Sequence, residues 1–145
     1  MPIPNAITRT LDLAHPQAKV WAALTTLEGI TGWFGSHANG EFIPGQNVHM
    51  RWEQYDNSEG TLEIKLVDPM STFAFGWSIN GAPEGDPRRT YVEFALEPTA
   101  TGTRLTVTES GFAQLPDAWL DTSYKGNVEG WGVELAELVA YLDAA

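Results

Sequence analysis

The sequence predicts an α+β domain in which a curved antiparallel sheet wraps a long C-terminal helix. Two observations carry most of this. Residues 36–110 repeatedly alternate apolar with polar side chains and are punctuated by turn residues, whereas the last segment switches to a helical period. A third is the pair of short helical stretches between the first strand and the rest.

The first strand is read from Ile7, Arg9, Leu11 and Leu13, which alternate with Thr8, Thr10 and Asp12. Period two is the signature of a half-buried strand, with Arg9 on its apolar side near the open end. His15-Pro16 ends it. Proline suits a first helical turn, so a helix is expected through Val20, Trp21 and Leu24. A second short helix, about Leu27 to Trp33, is expected to end in Gly32 and Gly35.

Successive strands follow. Val48, Met50 and Trp52 alternate with His49, Arg51 and Glu53, and Leu62, Ile64 and Leu66 with Thr61, Glu63 and Lys65. Phe73, Phe75, Trp77 and Ile79 give one face that is entirely large, against Thr72, Ala74, Gly76 and Ser78. Val92, Phe94 and Leu96 repeat the pattern, as do Leu105 and Val107. Asp68-Pro69, Asn80-Gly81 and Thr101-Gly102 supply turn chemistry, so neighbouring strands should pair as hairpins in an antiparallel sheet with one dry face.

In the last segment Trp131, Leu135, Leu138 and Leu142 fall at i, i+4, i+7 and i+11, and Val128 and Tyr124 extend the stripe backwards. Glu134, Glu137 and Asp143 are expected elsewhere on the wheel. Gly126, Gly130 and Gly132 each weaken a helix by about 1 kcal/mol relative to alanine. They are expected to permit close approach to the sheet or to mark a late helix start.

A chain of 145 residues is expected to be one domain, spanning 1–145. It has no cysteine, which removes disulfides, thiolate metal sites and cysteine nucleophiles. The N-terminus lacks a basic region followed by an apolar one, and no stretch approaches roughly 18 apolar residues, so a cytoplasmic protein without membrane insertion is expected. Nineteen acidic residues against 8 basic ones give a formal charge of −11, which repels phosphate backbones and argues against nucleic-acid binding.

No phosphate loop, serine elbow or metal-spaced cluster occurs, and no cofactor or metal is called for. His15, His37 and His49 are expected in a helix entry, a loop and a polar strand face, as ordinary surface histidines. Glu109 is the one weak catalytic candidate. Strand parity from Leu105 and Val107 points it toward the apolar face, where Arg9 or another donor must compensate its desolvation. There it could orient a ligand or act as a general acid or base, or it could reach solvent at the strand end. Glu93 and Glu97 share the outward face with Tyr91 and are expected to be solvated.

Six Trp, six Phe and four Tyr are many for this length. The inward aromatics Phe42, Trp52, Phe73, Phe75, Trp77 and Phe94, opposed by Trp131, are expected to divide between packed core and the lining of a mostly apolar pocket. Trp119 and Tyr124 are expected near its mouth. The expected ligand-binding set is therefore Trp52, Phe73, Phe75, Trp77, Phe94, Glu109, Trp119, Tyr124 and Trp131.

The order of one strand, two helices, six strands and a long helix is that of the helix-grip (START/Bet v-like) fold, and particular residues narrow it. Val20-Trp21-Ala22-Ala23-Leu24-Thr25 with Ile30-Thr31-Gly32-Trp33-Phe34 resembles the opening signature of the bacterial family similar to the C-terminal domain of the heat-shock-protein-90 ATPase activator. Glu109-Ser110-Gly111-Phe112 and Gly130-Trp131, with Leu135, Leu138, Tyr141 and Leu142, resemble its closing signature. The resemblance implies the START-like (SRPBCC) superfamily, whose members hold apolar ligands between sheet and helix, some of them as cyclases or hydrolases. Three functions follow as expectations: binding of a hydrophobic small molecule, a cyclase- or hydrolase-like activity in the same cavity, and a chaperone-interaction module. The first is expected in the absence of a recognisable catalytic set. The assemblies left open are a homodimer and a chaperone contact, the latter without a supporting motif. The activator itself carries a separate N-terminal domain, and 145 residues are not expected to hold one.

Overall fold

The period-two segments form strands and the period-3.6 segment forms a helix, because each places its large apolar side chains on one side only. The computed structural model describes residues 5–79, 82–83 and 85–144. In chain order they build β1 (Ala6–Leu13), α1 (Gln17–Thr25), α2 (Leu27–Trp33), β2 (His37–Gly40), β3 (Asn47–Trp52), β4 (Ser58–Asp68), β5 (Thr72–Ser78), β6 (Arg89–Thr99), β7 (Gly102–Ser110) and α3 (Asp117–Ala144). Short 3₁₀ turns lie at Glu53–Tyr55 and Phe112–Gln114. The predicted Asn80-Gly81 turn lies outside the described residues.

Among the described residues the strands form one seven-stranded sheet in the order β1-β7-β6-β5-β4-β3-β2, antiparallel throughout. β2 to β7 follow one another as hairpins, and β1 returns to pair with β7, Ala6 opposite Ser110. The connection from one sheet edge to the other is made by α1 and α2. Strands in this order bend into a half-open trough, and α3 lies along it. Phe73, Phe75, Phe94, Leu62, Ile64 and Leu105 from the sheet, Leu24 and Ile30 from α1 and α2, and Leu138 and Leu142 from α3 are all fully buried. Each large apolar side chain so buried stabilises the fold by about 1.5–3 kcal/mol.

The stripe on α3 is as predicted, with Trp131, Leu135, Leu138 and Leu142 buried. Three local expectations are corrected and one is refined. Leu66 does not continue the inward face of Leu62 and Ile64. The register steps from Ile64 opposite Phe75 to Leu66 opposite Ala74, a bulge with Lys65 as the extra residue, so Leu66 is exposed and Val67 takes the inward place opposite Phe73. A bulge bends its strand and increases its twist, which curves the sheet here. Secondly, α2 has the expected bounds, but Gly32 in its last turn serves packing as well: an added Cβ there would come within 2.2 Å of the Tyr141 ring, so the glycine lets α2 and α3 touch. Thirdly, α3 starts at Asp117, ahead of its three glycines, and an added Cβ at Gly130 or Gly132 would meet nothing within 4 Å. None of the three starts the helix, and Gly130 and Gly132 do not press on the sheet; they leave space. Finally, Glu134, expected elsewhere on the wheel than the apolar stripe, is buried.

Polar ties hold the helices in place. Lys19 Nζ donates to the Leu142 carbonyl at 2.7 Å, and His15 pairs with Asp143 at 2.8 Å, joining the entry of α1 to the end of α3. The Trp33 indole donates to the Ala23 carbonyl at 2.8 Å. The start of α2 is capped by Thr26, whose hydroxyl accepts from the Gly29 amide at 2.9 Å.

Candidate functional site

Toward one end of the trough, β3, β4 and β5 diverge from the middle of α3 and leave a cavity of about 770 Å³. Its apolar wall is Phe34 from the end of α2, Trp52 from β3, Trp77 and Ile79 at the end of β5, and Trp131 from α3. Phe34 stacks on Trp131 at 5.9 Å and 9° and on Trp77 at 5.8 Å and 23°, while Trp52 meets Phe34 edge-on at 5.7 Å. The polar border is Tyr55 from the 3₁₀ turn, Ser58, Glu59 and Thr61 on β4, Ser78, and Asn127, Glu129 and Glu134 on α3. Gly126 and Gly130, one helical turn apart, border the cavity on the same helix. The space beyond Gly130 is the cavity itself.

The orientation of these indoles is set from behind by Glu109. Two-residue parity brings it inward, as predicted, but it is wholly buried rather than at a solvated strand end. Its Oε1 accepts from the Trp131 indole at 2.9 Å and from Asn127 Nδ2 at 2.9 Å; its Oε2 accepts from the Trp77 indole at 2.8 Å, from Asn127 at 3.0 Å and from the Thr90 hydroxyl. Every partner is a donor, matching a carboxylate that accepts on both oxygens. Arg9, the predicted compensating group, instead donates to the neighbouring Thr8 carbonyl, and β1 places it opposite Val107 rather than Glu109. The four donors on Glu109 are neutral. Because the polar edges of Trp77 and Trp131 are taken up by Glu109, their apolar surface is what faces the cavity.

Of the nine predicted site residues, Trp52, Trp77 and Trp131 border the cavity. Phe73, Phe75 and Phe94 are fully buried core beneath it, Phe73 stacked on Phe94 at 5.9 Å. Glu109 lies behind the wall. Trp119 and Tyr124 are not at the mouth: because α3 already begins at Asp117, they sit in its first two turns. Trp119 packs under the Arg88 guanidinium at 4.7 Å, and Tyr124 meets Phe112 edge-on at 5.3 Å. Phe42 packs edge-on against Phe73 at 5.7 Å.

Phe34, Tyr55, Asn127, Glu129 and Glu134 escaped the sequence reading. Spacing held a signal for one of them, since Asn127 is four residues before Trp131 and shares its helical face. Glu134 is 6 % exposed; Tyr55 donates its hydroxyl to Oε1 at 3.1 Å, and Oε2 is enclosed without a hydrogen bond of full geometry. Burial pushes this carboxyl up to about 7, with the Tyr55 hydrogen bond and, more weakly, the Gln54 side chain pulling it back and repulsion from Glu137 pushing it further. Burial likewise raises the Tyr55 phenol.

The histidines have separate partners: His15 has Asp143 and Lys19, His37 on β2 has Glu53 at 2.7 Å, and His49 has Thr61 at 3.0 Å. Among the described residues no group of three or more His, Cys, Asp or Glu is placed to hold a metal. No helix among them is long and apolar enough to cross a membrane.

The fold is shared with several solved structures. The Mesorhizobium loti protein MLL2253 is 26 % identical, with 97 % of this chain and 98 % of that one covered at a TM-score of 0.82. The Staphylococcus saprophyticus protein SSP2350 is 25 % identical, with 95 % and 91 % covered at 0.75. The solution structure of the Aha1 dimer from Colwellia psychrerythraea has the same fold at 19 % identity, with 90 % and 96 % covered at 0.66. No curated protein matches significantly. The family model described as activator of Hsp90 ATPase homolog 1-like protein matches residues 14–143, and the chain therefore belongs to that family, in its helix-grip form.

Proposed function

We propose that the protein binds an apolar small molecule in the cavity between β3–β5 and α3. The observation that carries this reading is a cavity of about 770 Å³ walled by Phe34, Trp52, Trp77 and Trp131 and left open by glycines on α3. Its volume and mainly apolar wall with a few polar groups are those of a small-molecule site. Catalysis through Glu109 draws no support from this geometry. That carboxylate is fully buried and occupied by four donor side chains, so its role is to position Trp77 and Trp131.

Native mass spectrometry of freshly purified protein should find a co-purified small molecule. A neutral apolar ligand should also quench tryptophan fluorescence and, at a hundredfold excess over its Kd, stabilise the fold by about 2.7 kcal/mol. A broad hydrophobic library giving neither quenching nor a thermal shift would remove the reading.

Family membership favours a second reading, contact with a chaperone ATPase, and the dimeric Colwellia relative favours self-association. Stimulation of a purified bacterial Hsp90 ATPase tests the first. Light scattering on a size-exclusion column tests the second, a single monomer peak across micromolar concentrations counting against it.

A further inference from the structure

Asn127 lies one helical turn before Trp131 on α3, half-buried and bordering the cavity. Its Nδ2 donates to both oxygens of Glu109, at 2.9 and 3.0 Å. That contact fixes which way round the amide sits. A carboxylate only accepts, so the NH2 must face Glu109; the flipped amide would set oxygen against oxygen beside a wholly buried group. The carbonyl branch of the same planar amide is thereby turned away from Glu109. Among the described residues nothing donates to Oδ1, and this oxygen is not enclosed by protein. The hydroxyls of Ser58, Thr61 and Ser78 on the border can each turn to donate or accept, so they tolerate either kind of ligand group. Glu59 and Glu129 are exposed and solvated. Asn127 differs from all of these in being locked from behind as an acceptor. It also shares Glu109 with the indoles of Trp77 and Trp131, whose apolar surface faces the cavity.

We propose that Asn127 selects the ligand: an apolar ring compound carrying a neutral hydroxyl or N–H group, which donates to Asn127 Oδ1 while the ring lies against Trp77 and Trp131. This rests on the cavity being a ligand site and adds the functional group that the site reads. A compound whose oxygens can only accept strips water from Oδ1 and leaves it without a donor, a penalty that the hydroxyl compound avoids. Glu109 then acts on the ligand at one remove, as the positioning residue that sets the amide.

The test compares two isomers of one formula and ring system, 2-naphthylmethanol, which has an O–H donor, and 2-methoxynaphthalene, which can only accept, titrated by tryptophan quenching and calorimetry. The wild-type chain should bind the alcohol about tenfold more tightly than the ether. Asn127→Leu keeps the size of the side chain and removes Oδ1, while Trp77, Thr90 and Trp131 still serve Glu109. In this variant, with folding checked by circular dichroism, the preference for the alcohol should vanish. A measurement on the wild type alone stands beside it: the side-chain amide resonance of Asn127 in 15N-labelled protein should shift on saturation with the alcohol and much less with the ether. If the ether binds the wild type as tightly as the alcohol, selection of a donor is overturned while apolar binding stands. If the preference survives in folded Asn127→Leu, or the amide resonance responds equally to both probes, the assignment to Asn127 is overturned. Failure of both probes to bind would remove this inference and the cavity reading beneath it.

Discussion

Replacing Glu109 by Gln keeps the side chain's size and shape and changes only what its two terminal atoms can do. In the native arrangement Oε1 accepts from Trp131 and Asn127, and Oε2 from Trp77, Asn127 and Thr90. The amide has one oxygen, and its NH2 can only donate. Setting that oxygen at the Oε2 position keeps the bonds from Trp77 and Thr90 but turns the amide NH2 toward the Trp131 indole N–H. In the reverse setting the NH2 faces Trp77, whose indole keeps the Thr90 hydroxyl oxygen as acceptor, since it also donates there at 2.9 Å. The first setting leaves the Trp131 N–H unpaired, so the reverse one is favoured, and what is lost is the charged acceptor at Trp77 and Thr90. A hydrogen bond to a charged group contributes about 1.5–3 kcal/mol. Removing a desolvated charge offsets part of this. A net loss of about 1–3 kcal/mol is therefore expected. With urea m-values of about 1–3 kcal/mol/M, the unfolding midpoint should fall by roughly 0.5–1.5 M. A second readout follows from the positioning role: the Trp77 indole should lose its fixed orientation, weakening the near-ultraviolet circular dichroism. A shift corresponding to less than about 0.5 kcal/mol, with unchanged aromatic dichroism, would refute the buried carboxylate as the element that holds the cavity wall.

Other outcomes follow from the same geometry. Leu135→Ala removes a buried side chain from the α3 stripe and should cost roughly 2–5 kcal/mol in chemical denaturation; a loss below about 0.5 kcal/mol would contradict the packing of α3 against the sheet. Glu134 gives a pH dependence of defined sign. Its carboxyl titrates at about 7 in the fold against an ordinary 4.5, so the native state holds this proton more tightly, and the penalty for ionising it is absent below 4.5 and complete above about 7. Stability should thus decline from pH 5 to pH 8 by about 1–3 kcal/mol through this group, and Glu134→Gln should flatten that decline. A slope unchanged in the variant would count against burial as its cause. DNA binding should be undetectable at physiological salt, as the charge of −11 requires; salt-sensitive micromolar retention on a DNA column would contradict it.

Period and parity made most of the fold legible. The order of elements, the hairpin meander and the buried stripe of α3 all follow from where apolar residues recur, and that rule also turned Glu109 inward. Thr90 shares inward parity with Val92 and Phe94, and Asn127 shares a helical face with Trp131, so the cluster around Glu109 was within reach of the same reasoning. The bulge at Lys65 was not, because a one-residue slip leaves no mark in the pattern until Leu66 and Val67 are seen to exchange faces. Nor was the burial of Glu134, which depends on Tyr55 reaching across from a 3₁₀ turn followed by two left-handed residues, Asp56 and Asn57. Core and lining aromatics separate by position along the trough. Phe73, Phe75 and Phe94 sit deep, while Trp52 and Trp77 lie where the strands leave α3. Alternation says which face a residue occupies, but not how far along the strand the helix still covers it.

The direct test of the cavity as a ligand site is to fill it. Gly130 borders it, an added Cβ there meets nothing within 4 Å, and leaving glycine gains about 1 kcal/mol in helix propensity. Gly130→Leu should therefore fold at least as stably as the wild type while its side chain occupies ligand space. Titrated with 2-naphthylmethanol and followed by tryptophan quenching, the variant should bind about tenfold more weakly or not at all. Wild-type affinity in a fully folded Gly130→Leu protein would contradict the account.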